Sequence, residues 1–531
     1  MKILRKALSL ALIFICTACV LITTACSENS DISFRLLRTA YELEVGESAD
    51  VEIKLTQNGE SLPTDDVRYA SSNENIMTAE NGKIIGIAEG DAVLTVTYGS
   101  MERTASVHVF ERETPNKDIS IQTDRSSYDL LLDEPALDST VVHTTVFENG
   151  IEIPDAQISY SVADPSIAEI AADGTLTAKS HGTTTLSATH KNVTETAVVR
   201  IYANATQEQI NSFDETYINR FGRQYITNEG LHVDQVASGI ELTFYGTKLT
   251  AKINSTAIIY ARVFIDGDEE GTLIRMDRGT ETYTLAEDLQ AGIHTVRILK
   301  SSEIHDGQLV FCSFSSAQFL RAQEKSSLKI EFIGDSITTG YGTIAQGGDR
   351  TISNSDATKS YAYFAAKALD ADFSCIAAQG VCVKAHQWRD YNMADDIYGY
   401  ISPITKEEYD FSADADMDVV VLNLGTNDGS YITDSDASYA SKFPQDYADF
   451  LNTLRDKHPN AYILCTYGLM GKNSQIDSGI RQAVQTLQDD KILYIPSTVQ
   501  DNSGASGHPY YTAQERFADT IVMYVKTLLD L

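Results

Sequence analysis

A strand of apolar residues that ends in glycine and hands over at once to serine can present a nucleophile at the edge of a core. Leu328-Lys-Ile-Glu-Phe-Ile-Gly-Asp-Ser-Ile-Thr-Thr-Gly340 has this form, with Ser336 between the glycines. A serine hydroxyl attacks a carbonyl only with a base in hydrogen-bond reach and fixed donors for the oxyanion that develops. Three histidines follow it in the last part of the chain, His386, His458 and His508.

The elements around Ser336 decide which of them can serve. From residue 327 onward, apolar runs at 330–333, 373–377, 419–424, 461–467 and 492–495 alternate with helical patterns at 360–369, 445–457 and 478–488, and an amphipathic helix over 512–529 closes the chain. Strands separated by helices imply right-handed crossovers and a parallel sheet covered on both faces. The working site of such an α/β domain lies beyond the carboxyl ends of its strands. Ser336 follows the first strand and is on that side. His508, in Ser-Gly-His-Pro-Tyr-Tyr, follows the strand at 492–495 and opens the final helix, which makes it the candidate general base. His386 also follows a strand and is the runner-up, as a pocket wall with Trp388. His458, in Asp-Lys-His-Pro-Asn, precedes the strand at 461–467 and reads as a surface turn residue at the opposite end. Oxyanion donors on the same face are the N–H groups of Ser336 and Gly380 and the side-chain amide of Asn427 in Leu424-Gly-Thr-Asn-Asp-Gly429. Singly, glycine and Asn-Asp-Gly make ordinary turns; together, in order, and all at strand carboxyl ends, they outline an acyl-transfer site. Tyr341, Trp388 and Tyr431 are candidate substrate-stacking surfaces, with core aromatics the competing reading.

In that order, Gly334-Asp-Ser336, Gly380, Gly425-Thr-Asn427-Asp428 and His508-Pro509 resemble the four sequence blocks of the SGNH (GDSL-type) hydrolases. Gly340-Tyr-Gly342, Lys359-Ser-Tyr361 and Cys465-Thr-Tyr467-Gly468 support the likeness. The preceding β region, with Phe264-Ile-Asp-Gly267 and Gly292-Ile-His-Thr-Val-Arg297, is similar to the N-terminal jelly roll of carbohydrate esterase family 2. The resemblance covers residues 207–531 and implies removal of O-acetyl groups from xylan, mannan or glucan. In that reading Ser336 is the nucleophile, His508 the base and then the acid, and the Ser336 N–H, Gly380 N–H and Asn427 amide the oxyanion hole. The alternatives are an esterase for another acyl substrate (peptidoglycan, host glycan or lipid) and a surface glycan-binding protein without catalysis. One position departs from the family pattern. Its members usually carry Asp two residues before the histidine, and Ser506 stands there. Serine supplies no charge to orient an imidazolium, so the resemblance implies a Ser336–His508 dyad of the kind known in family 2, with Asp501 as an alternative orienting acid. The mechanism calls for no metal or organic cofactor, and no Cys/His spacing has the form of a zinc site.

Upstream, the chain reads as three β domains. Val-Arg-Tyr69, Asn-Gly82 and Glu-Gly90 recur as Ile-Ser-Tyr160, Asp-Gly174 and His-Gly182, within short alternating strands and tight turns. This pattern resembles bacterial immunoglobulin-like domains of group 2, over 32–111 and 117–203, and implies sandwiches; spacing is the expected role, with carbohydrate binding the alternative. Residues 207–322 stay β without the repeat, as a jelly-roll sandwich, and 327–531 form the α/β hydrolase domain with a flavodoxin-like three-layer arrangement. At 531 residues several domains are expected. A net charge of −34, with no basic tract beyond the first residues, excludes nucleic acid and anionic lipid as partners.

Lys2, Arg5 and Lys6 precede an apolar run over 7–22 and then Thr-Thr-Ala-Cys26, the three regions of a secretory signal in 1–26. Ala25-Cys26 resembles the cleavage and lipidation point of a bacterial lipoprotein, with Thr23 where that motif has Leu, Val or Ile. The expected address is the outer cell surface, anchored in the bacterial membrane at Cys26, with plain secretion second. Of seven cysteines, Cys312, Cys375, Cys382 and Cys465 lie outside the signal. Buried free thiols are expected in such apolar runs, and a Cys375–Cys382 bridge is the alternative in an exported protein.

Overall fold

The computed structural model of the protein describes residues 32–57, 59–111, 119–414 and 416–531. The signal sequence and the lipidation candidate Cys26 lie outside them. Among the described residues no helix is long and apolar enough to cross a membrane, and no cluster of His, Cys, Asp and Glu is arranged to hold a metal.

The first compact unit, described over 32–57 and 59–111, is a sandwich, antiparallel but for one pair, around Phe34, Leu43, Leu94 and Val107. Its strands alternate buried and exposed residues, as in Gly90–Tyr98, because one face of each sheet meets the other. The second unit opens with a sandwich over 119–202 whose strand pairing repeats that of the first, including a parallel pair that closes each sandwich. This second sandwich packs onto the next domain through Leu131, Tyr202 and Leu320.

The jelly roll turns on one long strand. Gly239–Ser255 pairs with Gly292–Lys300 through its first half and with Gly279–Ala286 through its second, and Leu309–Leu320 runs along its other edge with two register shifts. Such irregularities let one strand bend from one layer of a sandwich into the other. The enclosed core contains Leu242, Phe244, Ile253, Ile298 and Phe311.

The C-terminal domain has a five-stranded parallel sheet: β1 (Lys329–Gly334), β2 (Asp372–Ala377), β3 (Val419–Asn423), β4 (Tyr462–Thr466) and β5 (Ile492–Tyr494), in the spatial order β2-β1-β3-β4-β5. The central strand β3 is buried from end to end and β1, β2 and β4 are buried after their first residue, because helices cover both faces. These are α1 (Tyr361–Ala368), α2 (Thr426–Asp434), α3 (Phe443–Lys457), α4 (Ser474–Leu487) and α5 (Tyr511–Leu529). The expected strands and four of the helices are found. α2 is the addition: Asn-Asp-Gly, whose composition alone suits a turn, lies inside a helix whose first turn carries Asn427.

The jelly roll and the α/β domain share one core, in which Phe221 stacks on Phe373 and Phe264 on Tyr363 with ring centroids 5.6 Å apart. Two buried ion pairs cross the same boundary, Arg223–Glu331 at 2.8 Å and Arg262 Nε–Asp356 at 2.9 Å. His458 belongs to this buried set and is no surface turn residue. Its side chain is fully buried, with Nε2 2.8 Å from the Tyr398 hydroxyl and 3.4 Å from Glu331. The turn reading failed because a carboxylate in an otherwise apolar strand, Glu331 in β1, needs polar partners, and His458 is one of them. The four described cysteines are free, Cys375 and Cys382 included. Both of those are buried, and burial pushes their thiols well up.

Candidate active site

Ser336 leaves the end of β1 over Gly334. A Cβ on Gly334 would stand 2.0 Å from Thr338 Oγ1 and 3.1 Å from the Asn423 carbonyl, so only glycine lets the turn close on the neighbouring strand. The turn is pinned by Asp335, fully buried, whose Oδ1 accepts the Ile337 N–H at 2.9 Å. Burial lifts the Asp335 carboxyl to about 7 against the pull of that N–H.

His508 Nε2 lies 2.8 Å from Ser336 Oγ. Its Nδ1 faces the carbonyl oxygen of Ser506 at 3.2 Å. Ser506 adopts φ +51°, a left-handed conformation uncommon for serine, and two bonds hold it there: its N–H donates to the Gly348 carbonyl, and its hydroxyl accepts the Arg350 N–H at 2.9 Å. Asp501 does not reach the imidazole by hydrogen bond. Its Oδ2 accepts the Tyr510 N–H at 2.7 Å and the Ser503 hydroxyl at 3.0 Å, so it shapes the loop that carries the histidine.

That loop is sewn to the one after Ser336. Ala505 N–H donates to the Gly342 carbonyl, Gly347 N–H to that of Ser503 and Tyr511 N–H to that of Thr343. Arg350 completes the seam. It is ion-paired with Asp306 of the jelly roll, its guanidinium lies 4.9 Å over the Tyr341 ring, and that ring is 4.4 Å from the imidazole of His508. Burial depresses His508 to about 4; the Arg350 charge adds to this and the Ser506 carbonyl opposes it.

Gly380 follows β2 with φ +75° and its missing side chain leaves room for Trp388, whose Cβ is 3.1 Å from where a Cβ would stand. Neither the Ser336 nor the Gly380 N–H donates to another described residue. The Asn427 amide donates to the Val381 carbonyl at 2.8 Å, with Asp335 Oδ2 at a longer 3.4 Å. Beneath it Asp428, fully buried, accepts the Val383 N–H and anchors the start of α2 to the loop after β2.

Ser336, Tyr341, Gly380, Trp388, Asn427 and His508 thus line one cleft of about 440 Å³, together with Gln379, Arg389 and Met470. Trp388 is 61% exposed there. Tyr431 is not in the cleft lining: it packs edge-on against Tyr439 at 5.3 Å, beside the core, as its core reading allowed. His386 is outside the lining too, with Nε2 3.2 Å from the Asn392 amide nitrogen. Sequence reasoning missed Arg350, Asp306, Gln379 and Arg389. Arg350 and Arg389 were visible as rare cations in an acidic chain, whereas nothing in sequence ties Asp306 to a site in another domain.

With this geometry established, residues 221–340 match the family Carbohydrate esterase 2 N-terminal and residues 332–516 match the GDSL-like Lipase/Acylhydrolase family. Over these two matched regions the chain is similar to family 2 carbohydrate esterases. Residues 141–201 match the bacterial Ig-like domain of group 2. The chain is 30% identical over 312 residues to the cellulase/esterase CelE of Acetivibrio thermocellus, an alignment that spans 55% of this chain and 37% of that protein. It is 26% identical over 327 residues to an acetylxylan esterase / glucomannan deacetylase of Cellvibrio japonicus, spanning 60% of this chain and 90% of the relative. A family two carbohydrate esterase from Clostridium thermocellum, solved in complex with cellohexaose, superposes with TM-score 0.55 at 28% identity, over 59% of this chain and 99% of the other. An acetyl xylan esterase from the rumen bacterium Butyrivibrio proteoclasticus gives TM-score 0.55 at 25% identity, over 60% and 96%.

Proposed function

We propose that the protein is a carbohydrate O-acetyl esterase of the outer cell surface, acting on acetylated xylan, mannan or glucan. The observation that carries this reading is the 2.8 Å contact between Ser336 Oγ and His508 Nε2 on a family 2 scaffold. Ser336 Oγ bonds to the acetyl carbonyl carbon while its proton passes to His508 Nε2. The carbonyl oxygen becomes an oxyanion, received by the Ser336 and Gly380 N–H groups and by the Asn427 amide, which gives up its longer contact to Asp335. Collapse breaks the ester bond, and His508 returns the proton to the departing sugar oxygen. Water, deprotonated by the same imidazole, then releases acetate and frees Ser336. Each oxyanion donor is worth about 3 kcal/mol of transition-state stabilisation.

The relatives named for acetylxylan and glucomannan support the substrate class. The charged, apolar and small-residue regions of 1–26 support export, and Cys26 is the proposed lipid anchor to the bacterial membrane. Acetate release from acetylated xylan and acetylated glucomannan tests the activity. Wild-type protein should release acetate from at least one of them and Ser336→Ala from neither; wild-type protein silent on both, and on p-nitrophenyl acetate, ends the esterase reading.

A further inference from the structure

The chain has 75 acidic and 41 basic residues, yet no Asp or Glu is among the described residues that line the cleft. Besides the histidine, the lining has one ionisable cation, Arg389. Arg389 is half-buried and forms no hydrogen bond or ion pair with any described residue. Its neighbour Asp390 is exposed and makes no ion pair with it. On the jelly-roll side, Glu303 is turned to Gln379 instead: its Oε1 accepts the Gln379 amide at 3.0 Å, and burial and the Asp306 charge, offset by Lys300, leave it raised to about 7. Arg350, by contrast, is already bound to Asp306. A guanidinium drawn part-way out of water without an acid beside it costs free energy unless a ligand supplies the acid.

Its place narrows what that ligand is. Arg389 Nε lies 3.7 Å, and its Cγ 3.4 Å, from where a Cβ on Gly380 would stand, so the cation adjoins an oxyanion donor. Trp388, exposed beside it, offers an apolar face to a pyranose ring. At long range a protein of charge −34 repels an anionic glycan, but that repulsion is screened beyond about 8 Å at physiological salt. At contact the local guanidinium decides, and its fork matches a carboxylate.

We propose that Arg389 anchors a uronate subsite, in which the carboxylate of a uronic acid unit on the acetylated glycan binds the guanidinium next to the acetyl group under attack. This rests on the esterase reading. The uronate is either a glucuronate branch on xylan or a galacturonate of a pectin-type backbone, and both offer the same carboxylate on a pyranose.

Acetate release by the full chain, as kcat/KM at an ionic strength of about 0.15 M where the long-range repulsion is screened, is compared on two matched pairs: acetylated xylo-oligosaccharides with and without a 4-O-methylglucuronate branch, and acetylated galacturonan oligosaccharides with carboxyls free or methyl-esterified. The charged member is expected to win by roughly 10-fold in at least one pair, and that pair identifies the source. Arg389→Gln should level the two members and Arg389→Lys keep part of the preference. Equal rates within both pairs for the wild type, a preference that survives Arg389→Gln, or an Arg389→Gln loss that falls equally on both members overturns the proposal. No acetate from any of the four substrates overturns the esterase reading and this inference with it.

Discussion

Ser506, two residues before His508, meets the imidazole with its main chain and not with a charged side chain. A carbonyl orients the imidazole but brings no full negative charge to stabilise its protonated form. The depression of His508 to about 4 has burial as its largest cause, with Arg350 adding to it. The neutral ring is the base, so protonation removes activity, and the acid limb follows the folded-state value. kcat/KM on a neutral ester should stay level through pH 6.5 and fall with one proton below about pH 4. An acid limb near the ordinary histidine value of 6.5 would contradict this. At this scale sequence was informative where chemistry demands a residue type in order along the chain: Ser336, Gly380, Asn427 and His508 meet in one cleft. His458 went astray, and Tyr431 could be read two ways, because a histidine or an aromatic ring serves a core as well as a surface, and only packing separates the two.

Among the elements, the loops after β1 and β5 act as one piece. Their main-chain bonds fix Ser336 and His508 relative to each other, and the Arg350 N–H holds Ser506 in the conformation that aims its carbonyl. Asp306, reaching in from the jelly roll, holds the Arg350 side chain. Asp306→Ala should therefore lower kcat by roughly 10- to 100-fold, the effect of a small misplacement of a reacting group, with KM little changed and the fold retained by circular dichroism. Asp501→Ala, by comparison, removes a loop fastener and no partner of the imidazole, so its loss should be well short of that from His508→Ala. A loss equal to His508→Ala would return Asp501 to the role of orienting acid. The strands and long helices were legible from periodicity, since a strand buried on both faces has to be apolar throughout. α2 was not, because Gly425-Thr-Asn-Asp-Gly429 is turn-like in composition and becomes helical through the tertiary anchor at Asp428.

At the scale of whole domains, the jelly roll and the hydrolase domain share one core and two buried ion pairs. The Arg223 guanidinium, from the jelly roll, is 1% exposed, lies 4.0 Å over the Tyr409 ring and pairs with Glu331 of β1. Burial alone would raise the Glu331 carboxyl, but Arg223 and His458 outweigh it and hold it at about 2. Removing one partner leaves a buried charge uncompensated, so Arg223→Met should cost about 3–5 kcal/mol, read as a lower urea midpoint. Arg223→Met with Glu331→Leu should recover much of this, since two apolar groups leave no buried charge; a double variant as unstable as the single one would show that the pair does not carry the effect.

By itself the sequence determined the β sandwiches, the parallel sheet and the order of the acyl-transfer residues, because hydrophobic period and strand-end position are local properties of a chain. Only the tertiary structure decided what holds His508, that Asp306 reaches the site through Arg350, and that Arg389 faces a cleft with no carboxylate among its described lining residues. These depend on side chains far apart in sequence and on which charges find a partner once water is excluded, and no local pattern carries that information.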